Sequence, residues 1–276
     1  MATQDLRIHP TAIVGDNVRF LGDVEIGPYS NISGDVEIGP DCVIMSHVVI
    51  AGNTKIGSRC KFFPFCSIGH VPQDLKYKGE PSSLEIGSEN VFREYVTISP
   101  GTECGSMSTK IGNSCLFMIS SHVGHDCIIG NHVRLTNNVS VGGYVEIGDY
   151  AVVGGNSAVH QYIRIGDFAM IAGLSGVLKD VPPYAMLTCV HTDKLYNRVD
   201  GLIGVNMIGM KKYGFSREDI VALDSLFECI FGSTTKDAES RAQVVRNSVV
   251  NSEFKKKLIS FFEGIGRRGM YTNLIK

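Results

Sequence analysis

Neither sign of charge dominates this 276-residue chain: 26 Lys and Arg stand against 28 Asp and Glu, a formal net charge of −2. That balance argues against nucleic acid or an anionic membrane surface as a partner of the whole chain, so an acidic partner has to be met by a local patch. There is no uninterrupted run of the roughly 18 apolar residues that would suggest a bilayer-spanning helix. The N-terminal Met-Ala-Thr-Gln-Asp-Leu-Arg also has no basic segment followed by an apolar stretch. The expectation is a cytoplasmic protein without a secretory leader or stable membrane insertion. The eight cysteines include no Cys-x-x-Cys pair and no Cys/His cluster with structural zinc spacing, so reduced thiols and no bound metal are expected. What is present is a 43% hydrophobic composition spread along the chain, enough to bury a full core.

The arrangement of those apolar residues has a period of six. Branched or aromatic residues occupy Val14, Phe20, Ile26, Ile32, Ile38, Ile44, Ile50, Ile56, Phe62 and Ile68. The column resumes at Ile86, Phe92 and Ile98, shifts once, and runs on from Ile111 to Val177. Six is neither the 3.6 of a helix nor the 2 of a strand. It suits a prism in which each hexapeptide forms one side, places its large apolar residue inward and then turns a corner, often marked by Gly. Three sides make one coil of about 18 residues, and the coils bury a continuous core by stacking. Val18, Val24, Ser30, Cys42 and Thr54 fill the remaining interior, and Cys42, Cys60, Cys66, Cys115 and Cys127 share one repeat position, as small packing residues would. The fold class is mainly β, a parallel β-helix of hexapeptide repeats over residues 1–189.

Two stretches, 70–83 and 100–110, break the period and read as inserted loops, where a rigid scaffold commonly carries function. Past Val181-Pro182-Pro183 the six-residue pattern ends, and residues 190–276 read as a small α-helical C-terminal domain. Within it Ile220, Leu223, Leu226, Phe227, Ile230 and Phe231 line one helical face behind a Ser216/Asp219 cap.

Stacking every 18 residues says which residues share a corner. His125, Gly143 and Gln161 form one ridge, and Asn137, Gly155 and Gly173 a second. Asn131, Asp149 and Asp167 form a third, with ordinary turn residues, that reads as solvent-facing. A histidine beside exposed backbone N–H groups is the minimum for acyl transfer to a hydroxyl, supplying a base and an oxyanion site. Asp126 could orient the His125 ring, although His125 could equally be a polar corner residue. His122 and His160 face outward, where substrate binding and subunit contact both fit, with contact the default. His132 reads as solvated. Zinc would need three convergent ligands, and no spacing here demands it.

The segments Pro72-Gln73-Asp74-Leu75-Lys76-Tyr77 and Ser121-His122-Val123-Gly124-His125-Asp126-Cys127 resemble the UDP-N-acetylglucosamine O-acyltransferase family, which acts first in lipid A biosynthesis. So do Asn137-Asn138, Ala158-Val159-His160-Gln161, Leu174-Ser175-Gly176, Val181-Pro182-Pro183-Tyr184 and Lys211-Lys212-Tyr213-Gly214-Phe215-Ser216-Arg217-Glu218. The resemblance takes in essentially the whole chain and implies the left-handed form of the helix and a homotrimer. It further implies transfer of an (R)-3-hydroxyacyl group from acyl carrier protein to the glucosamine 3-position of the UDP-sugar. No cofactor is then needed, since phosphopantetheine arrives with the carrier. By the same resemblance His125 is the general base supported by Asp126, and the Gly143 N–H serves the oxyanion. Asp74 and Lys76 contact the sugar and its surroundings. His122, Asn137, His160 and Gln161 line a cleft between subunits, Asn206 and Lys212 approach the nucleotide, and Gly173 leaves the acyl channel open to a longer chain. Lys211, Lys212 and Arg217 offer a basic face to an acidic carrier, while Lys255 to Lys257 read as a solvated helix face.

Three departures from the family pattern stand out: Tyr144 where better-known members have histidine, Gly124 for the usual alanine, and Ile208 for an acidic residue near the nucleotide. The stretch from His191 to Leu202 also looks longer than usual. The alternatives are a CoA-dependent acetyltransferase, a zinc hydratase of the carbonic anhydrase type and a non-enzymatic trimeric scaffold. The related N-acyltransferase has an extra N-terminal domain, for which a chain whose repeats start by residue 14 leaves no room.

Overall fold

The computed structural model describes residues 5–191, 198–232, 237–264, 266–272 and 274. The hexapeptides form short strands from Leu6–Ile8 to Gly176–Val177, laid into three parallel sheets that are the faces of a prism. Coil stacks on coil at 18 residues, as where Asn131 meets Asn113. The spacing rises to 30 across the first inserted loop and 25 across the second. Strand pairing resumes at Ser83 and Ser108, so each loop ends slightly before the period suggests. Phe62, Phe92 and Phe117 stack inside the prism at 4.8 Å, so the apolar column runs unbroken past both loops.

The inward column is buried from Ile26 to Val177, whereas Val14 and Phe20 at the first coil, with little below them, are only partly so. Six of the eight cysteines are buried and none forms a disulfide; Cys104 and Cys229 are exposed. Burial pushes the Cys66 and Cys127 thiols up to about 12 and Cys115 up to about 11, so these sulfurs act as packing groups.

Corner chemistry differs from the sequence reading. Among the described residues the left-handed conformation falls on twenty non-glycine residues, among them Tyr29, Asp41, Asp126 and Tyr144, each two residues after a corner glycine, and Tyr162, which has His160 there instead. In a left-handed helix that conformation costs a side-chain-bearing residue roughly 1–2 kcal/mol. It persists here because most of these residues donate their N–H to the neighbouring coil, as Tyr144 does to His125 C=O at 2.9 Å. Several of their rings also stack along the axis, Tyr144 on Tyr162 at 4.4 Å and His132 on Tyr150 at 4.5 Å. The glycine serves a different need: a Cβ on Gly39 would lie 2.6 Å from the Gly57 carbonyl carbon of the next coil.

The last coil is followed by a hairpin. Ala185–His191 pairs with Met170–Ile171, and Arg198–Val205 pairs back antiparallel. Residues 198–205, inside the stretch read as the small helical domain, are thus a strand; residues 192–197 of the longer stretch lie outside the described residues. Helices α1 (Met207–Lys212), α2 (Arg217–Phe231), α3 (Ala238–Asn247) and α4 (Ser252–Glu263) follow. The expected face of α2 is buried and Ser216 caps it by accepting from Asp219 N–H. The third corner is not wholly solvent-facing. Asp167 pairs with Lys257 of α4 at 2.6 Å, so that lysine is tied to the prism, and His132 packs on Tyr150. Among the described residues no helix is long and apolar enough to cross a membrane.

If close stacking is what demands the corner glycines, Gly39→Ala costs about 1–3 kcal/mol. Asp41→Gly, at a left-handed position of φ 61°, stays within about 0.5 kcal/mol of the parent. Urea unfolding distinguishes them, and a costlier change at Asp41 contradicts this division of labour.

Candidate active site

One face of the prism carries the outward ladder Thr97, His122, Ser140, Ala158 and Gly176, one residue per coil. Its far edge turns at His125, Gly143 and Gln161. A cleft of about 490 Å³ opens there, lined by His122, His125, Gly143 and Gln161, with Gln73 reaching in from the first inserted loop. Clefts of about 680 and 750 Å³ lie on the face that carries Glu146 and Arg164, but neither is lined by a histidine. Chemistry rather than volume selects the smaller one.

His125 is nearly buried. Its Nδ1 lies 2.9 Å from Asp126 Oδ2, and because a carboxylate accepts, Nδ1 carries a proton, so that in the neutral ring Nε2 is the nitrogen with the lone pair. Nε2 faces Asp74 Oδ2 of the first inserted loop at 3.8 Å, beyond hydrogen-bond length. Asp74 also accepts the Lys76 N–H at 3.0 Å, which shapes that loop's tip. A Cβ on Gly143 would fall 2.6 Å from His125 Nε2, so only glycine there leaves room for the ring.

The corners differ in how their backbone donors are satisfied. At the third corner each coil caps the one below: Asn131 N–H donates to Asp149 Oδ1 at 2.7 Å and Asp149 N–H to Asp167 Oδ1 at 2.9 Å. The matching N–H of Gly143 has no such bond within the chain among the described residues. It is a donor at the cleft wall, beside a base.

His122 Nδ1 bonds the Thr97 hydroxyl at 2.7 Å. Burial, and then the neighbouring His125, hold its imidazole below the usual histidine range. Tyr144 meets the His125 ring perpendicularly at 4.9 Å, with its hydroxyl 3.5 Å from Thr102 Oγ1, so at this position an aromatic wall stands behind the base. His160 is exposed next to Gln161, its Nδ1 3.3 Å from the Gln161 carbonyl. Asn137 and Gly173 sit at the other edge of the ladder face, both exposed. Lys76 and Lys212 are exposed, the latter in the last turn of α1. Asn206 is buried, with its side chain capping α1 at Gly209 N–H and donating to Phe168 C=O at 2.8 Å. The structure therefore gathers His122, His125, Asp126, Gly143, Gln161 and Asp74, and leaves Asn206 committed to joining α1 to the prism. Among the described residues no three His, Cys, Asp or Glu side chains converge as a metal site.

Thr97, Thr102 and Ser106 are absent from the sequence-derived set. Thr97 was accessible there, since like His122 it immediately precedes an inward column residue, Ile98. Thr102 and Ser106 lie in an aperiodic insertion that carries no such signal.

The folded chain resists protonating His122 more than the unfolded chain does. Its contribution to stability is therefore whole above about pH 6.5 and diminishes as pH falls below that value. NMR titration of the imidazole should give a midpoint below 6.5; one at or above it contradicts the burial described here.

Residues 108–143 match a family described as bacterial transferase hexapeptide (six repeats). Residues 180–271 match UDP N-acetylglucosamine O-acyltransferase, domain 2. The chain is similar to LpxA from Acinetobacter baumannii at 39% identity and a TM-score of 0.88, over 96% of this chain and 99% of that one. It is also similar to the Moraxella catarrhalis UDP-N-acetylglucosamine O-acyltransferase at 37%, TM-score 0.88, over 96% and 99%. The Francisella novicida UDP-N-acetylglucosamine acyltransferase matches at 32%, TM-score 0.88, over 96% and 93%. A shared architecture over nearly the full length at these identities makes this chain a member of the LpxA family of UDP-N-acetylglucosamine acyltransferases.

Proposed function

We propose that this chain transfers an (R)-3-hydroxyacyl group from acyl carrier protein to the 3-position of UDP-N-acetylglucosamine, the entry step of lipid A biosynthesis, without a covalent enzyme intermediate. The observation that carries the reading is the Asp126-oriented His125 beside the uncapped Gly143 N–H. His125 Nε2 takes the proton as the sugar hydroxyl attacks the thioester carbonyl, and Asp126 stabilises the resulting imidazolium. The Gly143 N–H receives the oxyanion of the tetrahedral intermediate. When the intermediate collapses, the C–S bond breaks and the proton on Nε2 passes to the departing phosphopantetheine sulfur, which regenerates neutral His125. Neither cysteine nearest His125 in sequence, Cys127 or Cys115, is exposed or readily ionised, so neither suits a nucleophilic role.

The sugar lies toward Asp74 and Lys76, with His122, His160, Gln161 and Asn137 lining a cleft completed by a second subunit of a homotrimer. Gly155 and Gly173 leave a groove for the acyl tail along the prism axis, and the open Gly173 position favours a longer chain. Asn206 orders the start of α1 near the nucleotide, and Lys212, with Lys211 and Arg217, offers positive charge to the nucleotide phosphates and the acidic carrier.

Acyl transfer to UDP-N-acetylglucosamine from hydroxyacyl carrier proteins of graded length tests this. His125→Ala should lose about 100-fold or more of kcat, and a variant within a few-fold of the parent contradicts the base assignment. Gly173→Met should lower kcat/KM for the longest donor at least about ten-fold while sparing short ones; an equal effect on all lengths removes Gly173 from the acyl path.

A further inference from the structure

His125 works as a base only while its proton stays on Nδ1, and the second inserted loop closes around the group that keeps it there. Asp126 is a corner residue in the left-handed conformation, φ 58°, with its carboxylate almost fully buried. Its Oδ2 accepts from His125 Nδ1 at 2.9 Å and from the Thr102 hydroxyl at 2.6 Å. Its Oδ1 accepts from the Thr102 N–H at 3.2 Å and the Ser106 N–H at 2.8 Å. The Ser106 hydroxyl also lies 3.3 Å from Oδ1, but it is 2.8 Å from the Ser108 carbonyl, and its single proton goes to the shorter contact. Gly105 completes the fit: a Cβ there would stand 2.2 Å from the carboxylate carbon.

The loop that makes this cradle is itself pinned. Gly101 N–H donates to Ser83 C=O at 3.2 Å and Met107 N–H to Thr102 C=O at 3.2 Å. Glu103 N–H donates to Glu80 Oε1 at 3.0 Å, and the other Glu80 oxygen accepts from Lys78 N–H at 2.8 Å. Glu80 thus ties the loop that carries Asp74 to the loop that holds Asp126.

Resting on the proposed role of His125, we infer that the second inserted loop is a positioning device, in which the Thr102 hydroxyl fixes the Asp126 carboxylate so that it holds His125 in the Nδ1–H tautomer. Thr102 is a positioning residue and touches no substrate. The Ser106 side chain is dispensable to this function, because its backbone N–H makes the contact. Without the Thr102 hydroxyl the carboxylate loses one of its two Oδ2 donors, and the imidazole is no longer confined to the tautomer that leaves Nε2 free.

The test compares kcat and KM for Thr102→Val, Thr102→Ser, Ser106→Ala and His125→Ala in the full-length protein, with thermal unfolding of each. Thr102→Val should lower kcat about ten- to a hundred-fold, as loss of an outer hydrogen-bond partner does around metal-ligating histidines, with both KM values within about two-fold. Thr102→Ser and Ser106→Ala should stay close to the parent. Placed in an Asp126→Asn background, Thr102→Val should add nothing, because both act through one group. If Thr102→Val fails to fold, Gly105→Ala, which crowds the carboxylate without removing a donor, should give the same kcat-selective loss. Parental kcat in Thr102→Val, a loss confined to KM, or full additivity with Asp126→Asn overturns the positioning role. His125→Ala distinguishes the two levels: an active His125→Ala overturns the base assignment itself, whereas an inactive His125→Ala beside an active Thr102→Val overturns only the positioning role.

Discussion

The prism depends on its corners bonding to the same corners one coil away, and most of them do. A corner residue in the left-handed conformation is unfavourable alone, and it becomes tenable when its N–H meets a carbonyl below, as Tyr162 meets Gly143 and Tyr144 meets His125. The same contact brings backbones so close that glycine is needed where Gly112 faces Gly130 and Gly130 faces Gly148. Position along the axis is therefore set coil by coil, and side chains 18 residues apart meet without any further device.

That regularity makes the exceptions chemically useful. At the third corner the carboxylate of one coil caps the N–H of the coil below, so the backbone there is saturated, as at Asn131 and Asp149. Where His125, Gly143 and Gln161 stand instead, a donor is left over and an imidazole lies beside it. The insertions complete the arrangement, one bringing Asp74 within 3.8 Å of Nε2 and the other enclosing Asp126. A scaffold with little freedom of its own thus holds a base, its orienting carboxylate and a backbone donor in a fixed relation.

The prism and the placement of the histidines were legible because a period of six with a stack of 18 is arithmetic, and it alone put His125, Gly143 and Gln161 on one ridge and turned His122 outward on a flat side. What stayed hidden had other periods or none. Ala185 to Cys189 alternates buried and half-buried residues, a period of two at the end of the stretch assigned to the β-helix, and its partner strand Arg198–Val205 falls in the stretch assigned to the helical domain. Aromatic residues at left-handed corners were not legible as such, because propensity assigns that conformation to glycine and the compensating stack is a tertiary effect. Asn206 is an ordinary helix cap whose neighbours could not be read from its position. Thr102 lies in a loop whose path is set by Ser83 and Glu80, contacts that no local pattern encodes.

The central claim is that the stacked corner and the second inserted loop together hold His125 with its proton on Nδ1 and its lone pair on Nε2. The most direct measurement is ¹⁵N NMR of the imidazole nitrogens of His125, at a pH where the ring is neutral. A protonated Nδ1 coupled to an unprotonated Nε2 is the expected result. A ring that carries its proton on Nε2, or that averages between tautomers, would mean that Asp126 does not orient the base and would contradict the mechanism.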